Sequence, residues 1–162
     1  MQDLLPDLCD AHAEQLTLLQ APLRDYGGKT VFFGEVVTVS CFEDNSRVKE
    51  VLATPGHGKV LVVDGCGSLN RALMGDVIAE TAVDNQWRGV IVLGAIRDVG
   101  AIAELPLGVK ALGACPFKTD RKGAGSLNVE LHLDGVAVRP GQWVYADGNG
   151  VVFSNEALPF ID

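Results

Sequence analysis

The sequence has no run of eighteen apolar residues, which excludes an ordinary transmembrane helix. Its opening stretch, MQDLLPDLCDAH, lacks the cationic start and long apolar core of a secretory signal. A soluble, cytoplasmic chain is the expectation. Positive charge is also short: 13 Lys and Arg stand against 21 Asp and Glu, a formal net charge of −8. This argues against a nucleic-acid partner, because phosphate-backbone binding relies on clustered Lys and Arg to release counterions. It leaves room for a basic protein partner. The four cysteines (Cys9, Cys41, Cys66 and Cys115) form no CxxC pair, and none of the three histidines lies at metal-ligand spacing from them. A structural zinc site is therefore not expected, and the thiols read as free, small hydrophobes in a reducing compartment. With 48 % hydrophobic and 21 % charged residues, disorder and coiled coil both fit poorly.

Glycine is the residue in excess, 19 of 162. There is no collagen-like period and no serine-rich linker; the glycines close apolar runs, where a turn or a close backbone approach is needed. The length suits one well-cored domain, 1–162. Leucines at helical spacing over 3–20 predict an N-terminal amphipathic helix. Residues 30–41 (TVFFGEVVTVSC) predict a strand with a bulge at Gly34, and Asp44-Asn45-Ser46 offers capping chemistry for a helix over 47–53. The unbroken runs VLVV (60–63) and VIVLGAI (90–96) read as strands buried on both faces. Between them, a helix opening at Asp76 places Ile78, Ala79, Ala82, Val83 and Trp87 on one face. This is the order of a parallel βαβ unit, with 109–114 as a further strand. Beyond Gly125, short strands over 129–133, 135–138, 143–146 and 151–153 alternate with DG, PG and DGNG turns. The predicted fold is α+β, with parallel strands and helices meeting an antiparallel meander.

Chemistry concentrates in three polar segments: Asp64-Gly65, Gly75 through Ile78 at a helix start, and Arg97-Asp98. Two of them directly follow buried strands, whose carboxyl ends in α/β sheets border a common ligand crevice. A helix start offers N–H groups and a positive dipole end to an anion. Asp76, Arg97 and Asp98 supply two hard oxygen ligands and one fixed cation, a set suited to a divalent metal and an anionic substrate. Each has a plainer reading: Asp76 as a helix N-cap, Arg97-Asp98 as a surface pair, Asp64-Gly65 as a turn. His12 and His57 read as structural, His132 as filling one face of a sheet, Trp87 and Trp143 as core, and 120–125 as a mobile loop.

At these residues the chain resembles the family that joins the regulators of ribonuclease activity (RraA) to the class II 4-hydroxy-4-methyl-2-oxoglutarate aldolases. The segments carrying the resemblance are CFEDN (41–45), KVLVVDGCGS (59–68), ALMGDVIAETAVDNQWRGVIVLGAIRDV (72–99) and PGQWVYADGNGVVFS (140–154). Most specific is Asp76, then twenty intervening residues, then Arg97-Asp98, similar to the aldolase D-x20-R-D signature. The resemblance implies a β/β/α swivelling-domain-like sandwich and a homotrimer with sites near subunit boundaries. It implies a divalent cation, Mg²⁺ or Mn²⁺, on Asp98, with Asp76 holding one of its waters. The N–H groups of Gly75, Asp76, Val77 and Ile78 would bind a pyruvyl carboxylate, and Arg97 the keto oxygen. The implied activities are aldol cleavage of 4-hydroxy-4-methyl-2-oxoglutarate and decarboxylation of oxaloacetate. Family aldolases run longer, and a C-terminal segment there can lend an acidic residue to a neighbouring site. Decarboxylation, which needs no such base, is the safer expectation. The alternative it implies is a non-enzymatic regulator that binds an RNase E-type endoribonuclease.

Overall fold

A computed structural model describes residues 2–159, so the expected domain, 1–162, extends past the described residues at both ends. Four parallel strands form its centre: β3 (Phe32–Ser40), β4 (Lys59–Asp64), β5 (Gly89–Ile96) and β6 (Gly108–Ala114). Helix α2 (Ser46–Leu52) joins β3 to β4, α3 (Asp76–Asp84) joins β4 to β5, and the short α4 (Val99–Ile102) joins β5 to β6. Val48, Val51, Leu52, Ile78, Ala79, Ala82 and Ile102 from these helices pack with Leu61, Val63, Val90 and Val92 on one sheet face. The opposite face, formed by Phe32, Val36, Val60, Val62, Ile91 and Leu93, packs on Val144, Ala146, Val151 and Phe153. Those four belong to β10 (Trp143–Asp147) and β11 (Gly150–Ser154), which continue antiparallel from β3 and carry β1 (Thr17–Leu19) at the outer edge. The β8–β9 hairpin (Leu131–Leu133, Val136–Val138) adds Leu131, Leu133 and Val138 to the same core. Because β4 from Val60 to Val63 and β5 along its whole length are apolar and buried, both faces need a cover, and the result is a β/β/α layering.

Helix α1 (Leu5–His12) lies outside this sandwich, with Leu5 and Leu8 against Tyr145 and Val152. It is shorter than the leucine spacing predicts. A single 3₁₀ turn follows, and residues 17–19 pair with β11 as β1, since an open sheet edge offers them ladder hydrogen bonds. Two further short strands, β2 (Arg24–Asp25) on β6 and β7 (Ser126–Leu127) on β3, carry too little periodicity to be read from sequence. Gly34 forms no bulge, for the pairing of β3 with β10 is continuous from Phe32 to Glu35. It is needed for space, as a Cβ there would lie 2.6 Å from the Gly58 carbonyl oxygen. His132 is exposed beside Glu130 and does not fill a sheet face. Trp87 is buried as expected, whereas Trp143 is only partly covered. None of the helices among the described residues is long and apolar enough to cross a membrane.

Candidate functional site

The loops leaving the carboxyl ends of the parallel strands converge on a cavity of about 270 Å³. The loop after β5 brings Arg97 and Asp98, the start of α3 brings Gly75 through Ile78, the loop after β3 brings Asn45, and that after β6 brings Lys118 through Arg121. Backbone pairing fixes the approach to α3. Residues 72–74 run between the end of β5 and residue 118: Leu73 N donates to Ala95 O at 2.8 Å, Ala72 N to Phe117 O at 2.7 Å, and Arg97 N to Met74 O at 2.9 Å. Gly75 is thereby set directly beside Asp98.

Asp98 adopts a left-handed backbone (φ 56°, ψ 41°) that Asp and Asn tolerate better than other side-chain-bearing residues. This turns its carboxylate back toward α3, where Oδ2 accepts the Asp76 N–H at 2.9 Å. The Arg97 Nε lies 4.0 Å from the same oxygen, and its Nη1 reaches Pro116 O at 3.5 Å. A Cβ on residue 75 would stand 2.6 Å from Asp98 Oδ2, so only glycine leaves the carboxylate its place. Arg97 and Asp98 are neighbours in sequence, yet both border the cavity because β5 ends at Ile96, just before them, and Asp98 turns into a left-handed conformation.

Asp76 is the first residue of α3, after Gly75 at the N-cap, and its side chain caps nothing. Its backbone N–H, one of four expected for a substrate anion, is taken by Asp98. The first hydrogen bond closing the helix is Ala79 N to Gly75 O at 3.1 Å, so the first-turn N–H groups of Val77 and Ile78 have no partner within the helix. Asp64 is not brought to this cavity. Its Oδ1 accepts the Cys66 N–H at 2.9 Å, and it borders a separate depression with His132. Burial first, then Cys66, Asp44 and Asp64, push the Cys41 thiol up to about 12, so it stays protonated and inert.

The residues missed by sequence reasoning are on the other side of the lining. Asn45, at the N-cap of α2, does not cap it with its side chain; Oδ1 instead accepts Thr119 Oγ1 at 2.8 Å and Arg121 Nε at 2.9 Å. The preceding Asp44 accepts Ser46 N and Oγ on one oxygen, and Lys122 N (2.8 Å) and Ala124 N (3.1 Å) on the other. Burial opposes its charge, but these hydrogen bonds outweigh burial and hold its carboxyl well below the usual range. Residues 120–125 are thus clamped to α2, where the glycines alone suggested a mobile loop. The signal was present in Asp44-Asn45-Ser46, read as capping; its distant partners, about eighty residues on, were not visible.

A metal here would meet Asp76 and Asp98 as hard oxygen donors. Among the described residues no three or more His, Cys, Asp or Glu converge into a cage. That donor set fits Mg²⁺ or Mn²⁺, which retain waters and need only one or two carboxylates, and does not fit structural zinc.

A family model described as Aldolase/RraA matches residues 5–153. A protein of Shewanella oneidensis, provisionally named 4-hydroxy-4-methyl-2-oxoglutarate aldolase, is 57 % identical over 160 residues, covering 99 % of this chain and 98 % of that protein. Among solved structures, the RNA-processing inhibitor RraA of Thermus thermophilus superposes with a TM-score of 0.94 at 39 % identity, covering 99 % of this chain and 98 % of that one. A Geobacillus kaustophilus protein titled S-adenosylmethionine:2-dimethylmenaquinone methyltransferase also gives 0.94, at 45 % identity, covering 96 % and 97 %. Agreement along the full described length, in sequence and in backbone, makes this chain a member of the RraA-like family.

Proposed function

We propose that this protein is a divalent-metal-dependent lyase of pyruvyl compounds, which cleaves 4-hydroxy-4-methyl-2-oxoglutarate and decarboxylates oxaloacetate. The observation that carries this reading is the Asp98 carboxylate, turned by a left-handed residue onto the start of α3 with Arg97 beside it. The provisional aldolase names of relatives above 50 % identity support the same class. Asp98 would hold the cation and Asp76 one of its waters; the cation supplies Lewis acidity at the 2-oxo oxygen. The N-terminal turn of α3 receives the pyruvyl carboxylate through free N–H groups. Arg97 donates to the 2-oxo oxygen, which gains negative charge as the carbon–carbon bond breaks. A preorganised donor of that kind contributes on the order of a hundred- to a thousandfold in rate.

The test is oxaloacetate consumption with Mg²⁺, with excess chelator, and with Asp98→Asn and Asp98→Ala. Asn preserves the left-handed backbone, whereas Ala adds about 1–2 kcal/mol of strain, so Asp98→Asn isolates the charge. Metal-dependent turnover lost in the chelator and in both variants is the expected result. Consumption no faster than with free Mg²⁺ would sink the reading.

A second reading, regulation of an RNase E-type endoribonuclease by protein binding, is favoured by the full-length match to an RNA-processing inhibitor and by the charge of −8. The two roles can coexist if they use different surfaces. We also propose a homotrimer: Phe42, Leu69 and Phe117 are each at least half exposed, an apolar surface beside the loops of the site that a neighbouring subunit would cover.

A further inference from the structure

We infer that Arg121, held by Asn45, receives the distal carboxylate of a five-carbon 2-oxo dicarboxylate and gives the site its preference for doubly charged substrates. The inference rests on the pyruvyl-lyase reading and adds to it the residue that recognises the far end of the substrate. The cavity lining falls into two groups. Gly75 through Ile78, with Arg97 and Asp98, meet the pyruvyl end. The second group contains Asn45, Thr119 and Arg121, and the pyruvyl fragment leaves it without a role.

Arg121 is an exposed cation with an anchored position. Its Nε donates to Asn45 Oδ1 at 2.9 Å, Asn45 and Thr119 are buried (6 % and 5 % exposed), and Asp44 ties down the backbone on either side of Gly123. It makes no ion pair among the described residues, in contrast to Arg97, 4.0 Å from Asp98, and Arg47, which pairs with Glu50. A cation fixed through a neutral amide keeps its charge and its Nη donors for a ligand; a carboxylate anchor would have neutralised it. Asp120 and Lys118 also border the cavity, so the local charge there is set by one carboxylate and two cations.

The chemistry of aldol cleavage requires such a group to bind without reacting. The C3–C4 bond breaks, its electron pair stays on the C3 fragment, and the 4-hydroxyl proton is finally placed on C3. Two pyruvates result, and the C5 carboxylate keeps its charge throughout. Arg121 therefore lowers KM more than it raises kcat. In oxaloacetate the distal carboxylate leaves as neutral CO2, so the same contact gives decarboxylation no assistance.

The test is calorimetric titration of the full chain in Mg²⁺ with 2-oxoglutarate, which shares the five-carbon backbone but lacks the 4-hydroxyl, and with 2-oxopentanoate, which lacks the second charge. The expected wild-type preference for the dicarboxylate is on the order of ten- to a hundredfold in Kd. Arg121→Ala should bring the ratio of the two constants close to one, Arg121→Lys should keep part of it, and Asn45→Ala should reduce it by releasing the guanidinium. Thermal melts of each variant establish that it is folded. A preference near one in the wild type, or one unchanged in Arg121→Ala, overturns the inference. Oxaloacetate consumption by the same preparation separates the failures: turnover without a dicarboxylate preference removes this inference alone. Absence of turnover together with binding of neither acid removes the lyase reading with it.

Discussion

Gly75 shows how narrow the tolerance of the site is at the scale of one residue. Its backbone is extended, so any residue could adopt it, and glycine is required only because Asp98 Oδ2 occupies the space of a Cβ. In Gly75→Ala the 2.6 Å contact must relax, and the flexible partner is the Asp98 carboxylate itself. A displacement of roughly 1 Å in a reacting constellation costs about a hundredfold in rate. If the lyase reading holds, turnover of oxaloacetate should fall by that order while the thermal midpoint moves little, because the cavity has room for the shifted side chain. A steady-state assay alongside a melting curve checks both halves. Asp98 illustrates the converse case, in which the backbone conformation selects the residue: a left-handed φ at the head of α4 admits Asp or Asn at low cost, and only Asp brings the charge.

At the scale of elements, the clamp between α2 and residues 122–124 is the contact that shapes the cavity wall. Asp44 carries it with two hydrogen bonds across the gap, from the Lys122 and Ala124 N–H groups, and its other oxygen is held by the Ser46 N–H and hydroxyl. Asp44→Asn, which weakens the acceptors, should cost about 1.5–3 kcal/mol in denaturant unfolding at neutral pH. Because the folded carboxyl titrates below its unfolded value of about 3.9, the stability it supplies is complete above that pH. It is lost as the pH falls through the lower, folded value. The gap between wild type and Asp44→Asn should therefore be constant from pH 7 to about 5 and close below about 4, as unfolding series at stepped pH would show. Much of the element order was legible in the chain: the apolar runs at 60–63 and 90–96 and the helix opening at Asp76 are where the structure has β4, β5 and α3. What was not legible depends on remote partners. Asp147 caps α1 by accepting the Leu4 and Leu5 N–H groups at 2.8 and 2.9 Å from more than 140 residues away. No local pattern announces that contact.

For the whole molecule, the charge of −8 and the exposed apolar surface make separate predictions. Light scattering should give a particle of three 17.1 kDa chains, and Phe117→Asp should shift it toward the monomer; a monomeric wild type would refute the trimer. If the ribonuclease-regulator reading holds, the basic segment of the endoribonuclease should be captured at low ionic strength and released as salt rises past the screening range of about 0.15 M. Capture that persists when Asp76, Arg97 and Asp98 are all replaced would place binding and chemistry on separate surfaces. Salt-independent capture would count against the electrostatic basis of this reading.

The sequence by itself determined the central strands, the helix between them and the candidate set Asp76, Arg97 and Asp98. The middle of β4 and the whole of β5 are buried on both faces, so their apolar runs stand out, and Asp76 with Arg97-Asp98 carries a spacing that survives in one dimension. It also placed Gly75 through Ile78 at a helix start. Only the tertiary structure decided that Asp98 takes the Asp76 N–H, that Asp64 turns to a different depression, and that residues 120–125 are clamped instead of mobile. It alone joined Asn45 to Thr119 and Arg121. The physical reason is the same in each case. Polar side chains have no periodicity to betray their partners, and hydrogen bonds between loops are settled only once the strands have brought the loop ends together.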